Sequence, residues 1–171
     1  MQSLEGVLTR LGESRIIHLV RSPWAVALSR YKFHVSGRSE FTKAGRSRIE
    51  QLGRESSIYC RQVVEDVQWS RRLEQRFPGR LYLLTYEQLV QDPVGKATEI
   101  YQFIGYQTTP ASFQKFSSLA APGNNTYTGS QMATKWQKTL TDNEKLRICK
   151  ECRQLLQLFP EYDYINTSVS C

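Results

Sequence analysis

Two short apolar runs constrain this chain more than any other feature. Arg15–Val20 reads RIIHLV and Arg80–Tyr86 reads RLYLLTY. Neither alternates apolar with polar residues. Near-continuous runs rich in β-branched and large aliphatic side chains are the pattern of strands buried on both faces of a parallel sheet. Parallel neighbours need a long crossover between them, and the stretch between the two runs carries helical spacing.

The rest of the chain follows from local signals. Ser22 is placed to cap a helix and Pro23 suits its first position, with the helix running to about His34. Residues 35–53 are polar, basic and glycine-punctuated and read as a loop. A long helix over about Glu55–Phe77 carries the stripe Cys60, Val63, Val64, Val67 and Leu73, and Pro78-Gly79 stops it. Asp92-Pro93 opens a helix with Ile100, Phe103 and Ile104 as its buried stripe, and Gly105 ends it. Pro110–Ala120 reads as a short helix and residues 121–135 as irregular. A last helix starts at Thr141, with Leu146, Cys149, Cys152, Leu156 and Phe159 on its buried side.

The 171 residues suffice for one domain with a core, here a single partial domain over 1–171. Strand, helix, helix, strand, helix is the grammar of an α/β fold with a parallel sheet and flanking helices. Only two strands are legible, whereas such sheets are normally larger. The sheet is therefore expected to be incomplete, with an exposed edge and a partly uncovered apolar face.

Composition narrows the partners. The net charge is +7, with 15 arginines against 8 lysines. Guanidinium forks suit phosphate, sulfate and carboxylate oxygens, so nucleic acid, a nucleotide or an acidic glycan fits, as does a merely solvated basic surface. Aromatic residues are not interleaved with basic ones in one patch, which weighs against nucleic acid. No apolar run is long enough to span a membrane, and the first residues lack a signal-peptide pattern. Cys149-x-x-Cys152 lies within a helix and has no second pair at zinc spacing, so no metal is expected. In an oxidising compartment Cys60 can pair with a C-terminal cysteine, with connectivity open. Sequons at Asn124 and Asn166 are candidate N-glycosylation sites.

The segment HLVRSPWAVALSRY, His18–Tyr31, carries the chemistry. Ligands of open α/β sheets bind beyond the carboxyl ends of the strands, where Arg21 stands. The following helix points its positive end into the same region. Ser29, about two turns along, lies on the side of Ser22. An arginine and a hydroxyl so placed can grip one phosphate; a surface arginine and an ordinary helix serine give the same pattern. His18, inside an apolar run, reads as a satisfied core histidine rather than a base.

IHLVRSPWAVALSRY resembles the strand, R-D-P-R-A-V and S-R segment of the sulfotransferases that use 3′-phosphoadenosine 5′-phosphosulfate (PAPS). Leu84–Tyr106, LTYEQLVQDPVGKATEIYQFIGY, is similar to that family's R-Y-E-D-L…D-P…I-Y-x-F-L-G segment. Trp136, Leu140, Cys152 and Tyr162 match its W-R-x-x-L…C…G-Y tail. The Cys60 helix is similar to the carbohydrate branch, whose members sulfate galactose, N-acetylgalactosamine or N-acetylglucosamine. Ser22, Trp24, Gln88 and Gln137 depart from the family pattern, Trp24 removing one positive charge near the cofactor.

The resemblance implies the C-terminal portion of a sulfotransferase domain with a P-loop-like sheet. It implies PAPS as sulfate donor, Arg21 and Ser29 as ligands of its 3′-phosphate, and a glycoprotein or glycosaminoglycan acceptor. It also implies a Golgi-lumenal enzyme, anchored as a type II membrane protein at full length. No glycine-rich loop follows a strand here, so the part that cradles the 5′-phosphosulfate is not found. No catalytic residue is assigned, and the chain alone is expected to be impaired or inactive. The alternative from another class is a non-catalytic nucleotide-binding or scaffold protein derived from the same fold.

Overall fold

The computed structural model describes residues 2–34, 47–120 and 129–165. Their order is α1 (Gln2–Arg10), β1 (Ile16–Val20), α2 (Pro23–Phe33), α3 (Arg48–Arg76), β2 (Leu81–Thr85), α4 (Tyr86–Gln91), α5 (Pro93–Phe103), α6 (Pro110–Ala120), α7 (Gly129–Thr139), α8 (Asp142–Glu151) and α9 (Arg153–Leu158). A 3₁₀ turn over Pro160–Ile165 follows. The chain divides into two compact units, Met1–Val20 with Asp66–Ala133 and Arg21–Glu65 with Thr134–Cys171.

The first unit holds the sheet. β1 and β2 pair in parallel, from Ile16 opposite Leu81 to Val20 opposite Thr85. His18 Nδ1 lies 2.9 Å from Ser70 Oγ on α3. The expectation of strands buried on both faces does not hold. Ile17 and Leu19 share one face and are 41% and 50% exposed, and Leu83 on the other face is 37% exposed. Among the described residues the sheet has only these two strands. The apolar face foreseen as uncovered is therefore present.

Local chemistry sets the ends of the elements. The Arg80 guanidinium donates to the carbonyls of Leu8 and Ser14, both at 2.8 Å, and to that of Leu11. It thereby gathers the chain at and beyond the C-terminus of α1, where a cation is favourable. Glu74 accepts from the Gly79 and Leu81 N–H groups, at 2.7 and 3.0 Å, and Gly79 turns the chain with φ 74°. Thr85 and Gln88 form a reciprocal capping box that starts α4, a helix the sequence reading did not separate from its neighbours. Gln88 thus serves as a capping residue.

Asp92 caps α5 through Gly95 N–H at 2.9 Å. Gly105 ends it at φ 88° in a Schellman motif, with Gly105 N–H bonding Gln102 O and Tyr106 N–H bonding Tyr101 O. The stripe expected on α5 is not buried: Ile100 and Phe103 are half-buried and Ile104 is 37% exposed. The helix spacing is as foreseen, but among the described residues no layer covers that side completely.

The second unit is helical. α3 begins at Arg48, not near Glu55. Ser47 and Glu50 form a capping box, with Glu50 Oε2 accepting from Ser47 N–H at 2.8 Å. Gly53, read as loop punctuation, is buried inside the helix. A Cβ there would stand 2.5 Å from Arg147 Nε of α8, so the glycine is a close-approach residue. α7 covers residues 129–139, part of the stretch expected to be irregular. The last helix starts as foreseen, with a Thr141–Glu144 capping box, but breaks at Cys152 into α8 and α9.

Buried residues of this unit include Trp24, Leu28, Leu52, Trp136, Ile148, Leu155 and Tyr162. Trp24 stacks on Trp136 with ring centroids 5.0 Å apart, and its Nε1–H donates to Lys145 O at 3.1 Å. Cys60 and Cys152 are joined in a disulfide, and Cys149 is disulfide-bonded as well. The C-x-x-C motif is therefore not an internal redox pair.

Candidate functional site

The second unit opens at Arg21, the residue after β1. A single side chain holds its backbone: Tyr59 OH of α3 donates to Arg21 O at 2.7 Å and accepts from Arg21 N–H at 3.3 Å. Using both hydroxyl functions on one residue ties the two peptide groups that flank the Cα of the half-buried arginine. Tyr59 was not singled out in the sequence; it lies 38 residues away and has no motif around it.

Ser22 occupies the N-cap position of α2, and its carbonyl accepts from Val26 N–H at 3.1 Å. The expected side-chain cap is not made. Ser22 is fully buried. The α2 N-terminus thus carries no side-chain cap, and Pro23 supplies no N–H. Ser29 lies on α2 with its side chain exposed, whereas Ser22, expected on the same side, is fully buried.

Trp24 corrects one expectation. It is fully buried against Trp136, so the position taken to lie near the cofactor points into the core.

Around this segment Arg30 lies over the Tyr59 ring, 5.4 Å from its centroid, and 3.9 Å from Glu55. Glu55 also faces His34 Nε2 at 3.4 Å, giving that histidine the partner the sequence did not reveal. In the first unit, burial lowers the pKa of His18, with Asp66 opposing the shift. His18 is hydrogen-bonded to Ser70, as a satisfied histidine would be, but it is half-buried and not in the core. Among the described residues no three metal-ligating side chains gather, and no helix is long and apolar enough to cross a membrane. Asn124 and Asn166 lie outside the described residues.

A strand end bearing a held arginine, then an uncapped helix with a hydroxyl two turns along, is an arrangement suited to an oxyanion. The model of the Sulfotransferase family matches residues 1–110, more than half of the chain, which therefore belongs to the sulfotransferase family. Carbohydrate sulfotransferase 3 of Homo sapiens is 30% identical over 158 residues, and that of Mus musculus 27% over 156, each covering 85% of this chain. The protein of the same name from Rattus norvegicus is 27% identical over 156 residues. The chain spans about a third of the length of these relatives, 33% in each case. No solved structure matches it.

Proposed function

We propose that this chain is the 3′-phosphate-binding portion of a carbohydrate sulfotransferase that uses PAPS. The observation that carries the reading is Arg21, held at the end of β1 by Tyr59 and followed by α2 with Ser29 exposed two turns along. Arg21 supplies fixed charge to the phosphate, Ser29 a hydrogen bond, and the α2 N-terminus a favourable dipole. Family membership and the named relatives support the same assignment.

In the complete enzyme the sulfuryl group would leave the 5′-phosphate and bond in line to an acceptor hydroxyl, whose proton passes to a base. Positioning and charge stabilisation supply most of the rate in such transfers. The contribution of these residues is positioning: they hold the donor's far end, so the reacting end is presented in one place. We assign no catalytic residue within this chain and expect it to be impaired or inactive alone. The Cys60–Cys152 disulfide supports an oxidising, secretory compartment, and we propose the Golgi lumen, with a glycan acceptor.

Titration with 3′-phosphoadenosine 5′-phosphate against 5′-AMP tests the reading. Preference for the 3′-phosphorylated nucleotide, lost in Arg21→Ala and weakened in Ser29→Ala, is expected. Equal binding of the two nucleotides would overturn it.

A further inference from the structure

The backbone at Arg21 is held from two sides, and the two holders are joined covalently. On one side Tyr59 of α3 bonds both Arg21 N–H and Arg21 O. On the other, Trp24 Nε1–H donates to Lys145 O of α8 at 3.1 Å, and the indole is fully buried on Trp136. Pro23 fixes its own φ between these attachments and leaves little slack there. Cys60, the residue after Tyr59, is bonded to Cys152 at the C-terminal end of α8. The path from Arg21 through Trp24, α8, Cys152, Cys60 and Tyr59 back to Arg21 is therefore closed.

α3 and α8 also meet at their N-terminal ends. Arg48 Nε lies 2.9 Å from Glu144 Oε1, and Gly53 packs closely on Arg147. These two helix segments thus run side by side in one direction. The Arg48 pair is eleven residues from Tyr59, roughly 16 Å along the helix. An ion pair at that distance can part without moving Tyr59. The disulfide stands beside Tyr59 and cannot part. Its position matters because the Arg21 N–H to Tyr59 contact, at 3.3 Å, is already long, so a displacement of about 0.3 Å breaks it.

We propose that the Cys60–Cys152 disulfide positions Arg21. It fixes the turn of α3 that carries Tyr59 against α8, so the hydroxyl stays within reach of both peptide groups at Arg21. The half-buried guanidinium then leaves the strand end in one direction. Cys60 and Cys152 are positioning residues that act through Tyr59. The inference rests on the reading of Arg21 as a phosphate ligand.

The test reads the ratio of the dissociation constants of the full chain for 5′-AMP and for 3′-phosphoadenosine 5′-phosphate, by calorimetry. Unfolded molecules bind neither nucleotide, so the ratio is independent of the folded fraction. Cys60→Ala, Cys152→Ala is expected to lower the ratio about three- to tenfold, as Tyr59→Phe does, because the disulfide acts through that hydroxyl. Added to Tyr59→Phe, it is expected to lower the ratio no further. Trp24→Phe keeps the disulfide and an aromatic ring against Trp136 but opens the path at Lys145, and is expected to lower the ratio too. Arg48→Ala loosens the same helix pair at its far end, and is expected to reduce stability without moving the ratio. An unchanged ratio in the cysteine variant or in Trp24→Phe, a further loss when the cysteine changes are added to Tyr59→Phe, or an equal loss in Arg48→Ala would each overturn the proposal. A parent that binds the two nucleotides equally overturns the phosphate reading and this inference with it. A parent whose 3′-phosphate preference survives in the variants overturns this inference alone.

Discussion

Replacing Tyr59 by phenylalanine removes one oxygen atom and two hydrogen bonds. The lost hydroxyl bonds Arg21 O at 2.7 Å and Arg21 N–H at 3.3 Å, and both are partly buried. The ring stays, so the Arg30 contact at 5.4 Å from its centroid is kept and cavity formation is minimal. A neutral hydrogen bond contributes about 0.5–1.5 kcal/mol net, and the longer of these two belongs at the low end. The expected destabilisation is about 1–2 kcal/mol by urea unfolding, with the slope m unchanged because the buried surface is unchanged. The same change frees both peptide groups that flank the Arg21 Cα. Affinity for 3′-phosphoadenosine 5′-phosphate is expected to fall about three- to tenfold, the equivalent of one such bond, while the weaker affinity for 5′-AMP stays as it was. Normal stability together with undiminished 3′-phosphate preference would refute the idea that Tyr59 holds Arg21 in place.

Three further outcomes follow from the packing. The double substitution Cys60→Ala, Cys152→Ala opens a loop whose ends are 92 residues apart, which in the chain-entropy treatment costs about 4–5 kcal/mol, read as a lower urea midpoint. Trp24→Arg restores the residue type usual in the family but places a charge where the side chain is fully buried on Trp136. It is expected to destabilise by several kcal/mol, about 3 or more, visible as loss of the cooperative thermal transition. His18 gives a pH dependence of known sign. Burial puts its folded pKa below the ordinary 6.5, so between these two values the unfolded chain binds more protons. Stability should fall as pH drops through the window just below 6.5 and be flat above it, and His18→Gln should remove that slope in urea titrations at several pH values.

Much of the local structure was legible. Both strands, the Asp92 cap, the Gly105 stop, the span of α6 and the start at Thr141 all rest on residues within a few positions of one another. Even the errors at α3 and α4 had local signals: Ser47–Glu50 and Thr85–Gln88 are capping boxes readable from spacing alone. Gly53 was different in kind. A glycine that breaks a helix and a glycine that lets another helix approach look the same until the approaching residue, Arg147, is in place.

By itself the sequence determined that Arg21 follows a strand and that Ser29 lies on the helix after it, because side-chain period and turn chemistry are properties of adjacent residues. The tertiary structure alone decided what holds Arg21 and what surrounds it. Tyr59 reaches Arg21 across 38 residues, Cys60 meets Cys152 across 92, and Trp24 turns inward because Trp136 is there to receive it. Such contacts form only when the loops between them close, and no local pattern encodes which of many apolar or aromatic side chains will arrive.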